Sequence, residues 1–382
     1  MKKMKNLKVI SAISVFVMIF IMIPLGAVTT SALSIAPNSG DCGENLTWNL
    51  DSGVLTISGT GEMDDYPSYS PWDKRPMFVV IESGVTSIGE GAFDNCSDLT
   101  NVTIPDTVTS IGASAFKGCS SLTNVTIPDT VTSIGASAFD GCSALTNVTI
   151  PDSVTSIGAS AFDGCSALTS ISIPNGVTKI ENHAFRNCSA ITSINIPDGV
   201  TGIGSSAFAG CSSLTNVTIP DSVTNIKDYA FGDCDSLVSM TVPDSVTTIG
   251  HLAFADCSSL ASVYISDKVT SIGISTFSGC SSLESVTIPI SVTSIGASAF
   301  KDCTSLTDVY YGGTEEKWSA INIGQDNETL KNANIIFSDT TEDVTDTQKI
   351  GCGSSVISGM GVSIITVLVT SAVIRKKKED NE

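Results

Sequence analysis

Apolar positions recur along this chain with a period of 23 residues. Phenylalanine stands at Phe93, Phe116, Phe139, Phe162, Phe185, Phe208, Phe231, Phe254, Phe277 and Phe300. A cysteine follows three residues after each, from Cys96 to Cys303, and a leucine or isoleucine three residues later, from Leu99 to Leu306. Within one unit, residues 99–121, the segment Thr100–Ile104 alternates polar and apolar and predicts a short strand. Pro105 ends it, since proline has no N–H for a ladder, and Asp106 continues the turn. Val108 and Ile111 supply a second apolar pair, Gly112 permits a bend, and Ala115, Phe116 and Cys119 fill the interior. No such unit buries its apolar face alone, so the pattern predicts a solenoid with one continuous core.

Two rows of strand side chains should face outward. One runs from Asn101 through Asn124 and Asn147 to Asp308; the other runs from Thr103 through Thr126 and Thr149 to Tyr310. Most positions are small hydroxyls and amides, and such a carpet also reads as soluble strand-forming filler. The uniformity breaks in the second half, at Val238, Ala261, Tyr264, Glu284 and Tyr310. Val238 and Ala261 replace a threonine held at Thr100, Thr123, Thr146, Thr169, Thr192 and Thr215. Tyrosine is a common binding anchor, so residues 238–264, extended to Tyr310, form the expected recognition surface. The opposing reading is repeat drift without a ligand.

The terminal units of a stack cover core that would otherwise meet water. Residues 42–81 fit an N-terminal cap: LTWNL and VLTISG read as a hairpin turned by Asp51, Ser52 and Gly53, with Trp48 and Trp72 as cap core. At the far end, Trp318 and Ile321 are expected to seal the last repeat.

Both chain ends carry membrane signals. Lys2, Lys3, Lys5 and Lys8 precede an apolar run from Val9 to Ile23, a secretion signal with cleavage after Ala27 or Ala32, or an uncleaved anchor. Ser355–Ile374 is uncharged and long enough to cross a bilayer, and Arg375, Lys376, Lys377 and Lys378 follow it. The positive-inside rule puts that tail in the cytoplasm and the repeats outside. Residues 339–354 are polar and read as a flexible stalk.

Composition narrows the chemistry. The chain has 39 acidic and 19 basic residues, a net charge of −20, and no basic groove, which argues against nucleic acid. Ten of its twelve cysteines hold one fixed place per unit, the behaviour of a packing residue, so a reduced, buried ladder is expected. A linear row does not converge as tetrahedral zinc requires. Strand spacing alone leaves disulfides open. The two histidines, His183 and His251, occupy different offsets and assemble no nucleophile–base pair. No nucleotide loop, zinc-protease motif or EF-hand is present. The row Asp106, Asp129, Asp152, Asp198, Asp221, Asp244 and Asp267 suits either turn capping or calcium, with turn capping the better fit. No enzyme, cofactor, metal or small-molecule substrate is expected.

The unit x-Leu-x-x-Val-x-Ile-Pro-x-x-Val-x-x-Ile-Gly-x-x-Ala-Phe-x-x-Cys closely resembles the BspA-type, or treponemal-type, leucine-rich repeat, over roughly residues 80–311. Departures from it are Ser266 for Pro, Thr276 for Ala, Ile290 for Asp and Tyr311 for Ile. The resemblance implies a curved solenoid, mainly β, with short strands on the concave side and short helical or irregular turns opposite. It also implies a microbial surface protein, in several cases an adhesin, and offers no catalytic residues. The expected order is signal peptide 1–32, N-terminal cap 33–80, ten repeats 81–311, C-terminal cap 312–338, stalk 339–354, transmembrane helix 355–374 and cytoplasmic tail 375–382. The expected function is adhesion to an extracellular protein, glycan or neighbouring cell. The alternative is a structural coat or spacer without a specific ligand.

Overall fold

In the computed structural model, residues 38–338 are described, except Lys74. The signal peptide, stalk, transmembrane helix and cytoplasmic tail expected from sequence lie outside the described residues. Among the described residues no helix is long and apolar enough to cross a membrane.

The 23-residue unit folds as one coil of a β-solenoid. Its strand is shorter than the alternating pattern suggested: in the unit beginning at Leu99 it covers Asn101–Thr103. It pairs in parallel with the equivalent strand of the next coil, Asn124–Thr126, with Asn101 opposite Asn124. Successive residues face opposite ways, so Val102 is buried while Asn101 and Thr103 face water. The apolar pair Val108 and Ile111 marks a second strand that the periodicity did not announce. Ser110–Ile111 pairs in parallel with Ser133–Ile134, and the same two-residue strand recurs in most coils. Gly112 lies at the end of this second strand. A Cβ there would come within 2.7 Å of the Glu90 nitrogen in the preceding coil, so close approach of backbones dictates the glycine.

A third ladder runs through the phenylalanine turn. Ser114, Phe116 and Gly118 donate their backbone N–H groups forward to Ala136, Ala138 and Asp140, at 2.8, 2.8 and 2.6 Å. This ladder requires Ser114 to adopt φ 54° and Gly118 φ 68°. Together the ladders satisfy backbone groups that irregular turns would otherwise bury unpaired.

All ten repeat phenylalanines are fully buried and stack ring over ring. Their centroids are 5.1–5.7 Å apart, and neighbouring planes differ by 25° or less. The cysteines behind them are buried thiols that form no disulfides, as the fixed spacing predicted. Each thiol from Cys119 to Cys303 donates to the carbonyl of the preceding coil's phenylalanine, at 3.1–3.3 Å. Burial pushes these thiols up, to about 12 at Cys142, Cys211, Cys257 and Cys303.

Both ends of the stack imitate the coil that is missing. At the start, the hairpin Leu46–Asp51 and Val54–Gly59 turns at Ser52 and Gly53, and its second strand pairs in parallel with Phe78–Ile81. Trp72 fills the place of a preceding phenylalanine. It stacks on Phe93 at 5.6 Å, its Nε1 donates to the Ala92 carbonyl at 2.9 Å, and Trp48 packs edge-on against it. At the finish, Tyr311, the departure from isoleucine, is buried against Trp318 and Phe337. Ile321 is buried there and Trp318 half-buried. Two short helices, Glu315–Ser319 and Glu328–Asn332, belong to this end. Buried Asn327 closes the turn ladder: its Oδ1 accepts from Phe300 N at 2.9 Å, and its Nδ2 donates to the Gly296 and Gly324 carbonyls at 2.9 and 3.0 Å. The other departures are absorbed locally. Buried Ser266 accepts from Lys268 N, buried Thr276 fills an alanine site, and Ile290 faces water.

Phe185 lies mid-stack, 5.7 and 5.6 Å from its two neighbours. Phe185→Ala is expected to destabilise the fold by about 3–5 kcal/mol, measured by chemical denaturation. Hydrogen exchange should rise in the adjoining coils and fade beyond them. An unchanged melting curve would contradict the placement of this ring. A second expectation concerns the thiols. Only a thiolate attacks a disulfide reagent, so the native chain should show at most one fast-reacting thiol, Cys352, which lies outside the described residues. Under denaturant all twelve should react. The raised thiol pKa values favour the protonated folded state, so their contribution is complete below about pH 9. It is lost progressively between that value and about pH 12. Melting temperatures across this range check the sign; a ladder alanine variant should show a shallower decline.

Candidate protein-binding face

The outward side chains of the longer strands form one face, and adjacent coils place equivalent residues about 4.8 Å apart. Three rows cross it. The row nearest the incoming turn holds Thr100 and its equivalents, several of whose hydroxyls reach back one coil. Thr100 Oγ1 donates to the Met77 carbonyl at 3.0 Å, Thr146 to that of Thr123 at 3.2 Å, and Thr215 to that of Thr192 at 3.1 Å. The second and third rows hold the residues equivalent to Asn101 and Thr103.

The residues singled out from sequence gather where these rows cross the last continuous sheet. That sheet contains Ser239–Thr241, Ser262–Tyr264, Ser285–Ile288, Asp308–Tyr311 and Asn334–Phe337. Val238, Ala261 and Glu284 are consecutive rungs: Ala261 N donates to the Val238 carbonyl at 2.8 Å, and Glu284 N to that of Ala261 at 3.0 Å. They interrupt the threonine hydroxyl ladder, which resumes when Thr307 Oγ1 donates to the Glu284 carbonyl at 3.4 Å. Val238 is 50 % exposed, Glu284 exposed and Ala261 half-buried. Tyr264 and Tyr310 share the third row, in register through Thr287 between them. Tyr264 is 38 % exposed and Tyr310 half-buried. Ile336, opposite Tyr310 on the final strand, extends the row and is also exposed.

Sequence reasoning missed the other end of the face. Phe78 pairs with Asn101 and Val80 with Thr103, so both occupy outward rows. Phe78 is 45 % exposed, and Met77, Val80 and Val54 are exposed beside it. Extending the 23-residue register one period upstream from Asn101 lands on Phe78, which was the available signal.

The remaining candidate chemistry resolves into structure. His183 adopts φ 57° in the phenylalanine turn, and His251 Nδ1 accepts from Ile274 N at 2.8 Å. Among the described residues no group of three or more acidic, histidine or cysteine side chains converges as a metal site would require. In the aspartate row, Asp106 and Asp129 are exposed, while the next residue ties the turn to the preceding coil. Thr107 Oγ1 donates to the Val85 carbonyl and Thr130 Oγ1 to that of Val108, at 2.7 and 2.6 Å. A shallow pocket of about 490 Å³ opens beside the second sheet, lined in part by Ser205, Asn225, Lys227 and Asp228. It includes none of the predicted residues.

Residues 77–191 and 178–307 match the family described as the BspA type leucine-rich repeat region, in six copies. No curated protein matches the chain. Among solved structures it is similar to a leucine-rich repeat protein from Eubacterium ventriosum, 28 % identical, covering 71 % of this chain and 84 % of that one with a TM-score of 0.50. It is also similar to a leucine-rich cell surface protein from Faecalibacterium prausnitzii, 30 % identical, covering 75 % and 98 % with a TM-score of 0.40. A leucine-rich repeat protein from Bacteroides ovatus is 26 % identical over 77 % and 98 %, with a TM-score of 0.41. The repeat, its register and the family match over residues 77–307 agree: the chain belongs to the BspA-type leucine-rich repeat family.

Proposed function

We propose that this chain is a cell-surface adhesion module. Its strand-side face docks an extracellular protein, a glycan or the surface of a neighbouring cell. One observation carries the reading: the outward rows are uniform and polar through the middle coils, then expose Val238 and Tyr264 together within the last sheet. A regular scaffold needs neither residue for folding, since the same offsets in the middle coils hold threonine, serine or asparagine. Tyr264 offers a large amphipathic contact at low entropic cost.

Export by residues 1–32 and anchoring by residues 355–374, with the stalk 339–354 holding the repeats away from the bilayer, would give the module a surface location. The similarity to a leucine-rich cell surface protein supports that location. The fold is a binding scaffold. The uniform hydroxyl and amide rows of the middle coils favour a second reading, a coat or spacer protein with no specific ligand.

Cells displaying the chain, set against a panel of matrix proteins, glycans and neighbouring cells, separate these readings. Saturable binding is expected. Tyr264→Thr should weaken it by about fivefold or more while leaving the melting curve unchanged. No saturable binding across the panel would favour the coat.

A further inference from the structure

The charged side chains and the tyrosines of the strand-side face are not spread along it. Between Met77 and Ile336 the three outward rows contain no lysine or arginine. Their carboxylates are Glu284 and Asp308, on neighbouring strands, where Asp308 N donates to the Glu284 carbonyl at 3.3 Å. Among the described residues neither carboxylate has an ion-pair partner. Three cations are paired away from these rows: Lys117 with Asp140 at 3.1 Å, Arg186 with Asp163 at 2.6 Å and Lys179 with Glu181 at 3.2 Å. Lys268, nearest in sequence to Tyr264, sits in the turn beyond Ser266.

The same strands carry the two tyrosines. Tyr264, Thr287 and Tyr310 lie in register on successive rungs, so the two tyrosines flank a small residue on strands about 10 Å apart. The register thus outlines a slot above the small Thr287, bounded by the strand positions of the two tyrosines. Glu284 and Asp308 lie toward one end, since Glu284 precedes the strand Ser285–Ile288 and Asp308 begins the next. Asp308 is oriented by two donors, Asn334 Nδ2 at 3.0 Å and Thr307 Oγ1 at 2.8 Å. These bonds hold its carboxyl below the usual range, so it is ionised throughout the neutral region.

We propose that this slot receives a lysine or arginine side chain from an extended, cationic segment of a protein partner. The inference rests on the reading that the strand-side face is a docking surface, and it names the class of partner. Ring faces attract a cation through their quadrupole. Two carboxylates without an internal counter-charge supply the complementary field, on a face with no cation to oppose it. A neutral or anionic partner would leave both carboxylates uncompensated at the contact.

The test uses the purified full-length chain in mild detergent and three labelled, unstructured peptides. These carry lysine, arginine or glutamate in the same Gly/Ser background. The lysine and arginine peptides are expected to bind, and the glutamate peptide is not. Glu284→Gln and Asp308→Asn should each weaken binding by about two- to fivefold. A control pair on the exposed turn row, Asp129→Asn and Asp152→Asn, should change it by less than about twofold, because a distant charge is screened. Tyr264→Thr should weaken it by about two- to fivefold and Tyr264→Phe should retain it, since the ring face does the work. Melting curves of all variants establish that they fold. Equal weakening by the control pair would overturn the proposal in favour of diffuse attraction to an acidic chain. So would equal binding of the glutamate peptide, or indifference to Tyr264→Thr. If a panel protein binds through Tyr264 but ignores both Glu284→Gln and Asp308→Asn, the cationic slot falls while the docking face stands. If no ligand depends on Tyr264, both fall.

Discussion

The backbone hydrogen bond from each coil to the next is the constraint on which everything else depends. A coil of 23 residues with strands of two and three residues cannot satisfy its own peptide groups. It must lend them to neighbours at one fixed translation. That translation sets the spacing of the phenylalanine rings, carries the thiol of one coil to the phenylalanine carbonyl of the previous coil, and requires glycine where backbones converge, as at Gly112. It also explains why most of the polar and charged variation falls in outward rows. A substitution inside is felt by two neighbours, whereas one outside meets water.

The period made the core and the strand face legible. Phenylalanine, cysteine and leucine at constant spacing have no other economical use than a shared interior, and the structure buries all of them. The second sheet was harder to see. Val108 and Ile111 are three residues apart, a spacing that fits a turn as well as a strand, and Ser110–Ile111 pairs only because the neighbouring coil stands beside it. The phenylalanine-turn ladder left little sequence trace beyond the serine at most of its first positive-φ positions and the glycine, asparagine or aspartate at its second. The capping role of Asn327 lies outside the repeat altogether, so no periodicity points to it.

At the candidate face, the second-half residues were readable as departures from a row. The exposed Phe78 was not, because the eye assigns phenylalanine to the interior. Register decides otherwise: Phe78 stands where Asn101 stands one coil later, and the alternation along Phe78–Ile81 turns Val79 and Ile81 inward instead. Periodicity thus identifies which positions are free to vary, while physical chemistry must still say what the variation recognises.

The end structures have an evolutionary consequence. Trp72 presents to Phe93 the ring surface that another phenylalanine would, and Asn327 presents to Phe300 the acceptor that another alanine carbonyl would. Neither end depends on how many coils separate them. Unequal recombination between near-identical units could therefore delete or duplicate whole coils and leave both termini properly closed. Each event would change the reach of the face by about 4.8 Å. Copy number becomes a heritable ruler, adjustable without inventing a new fold.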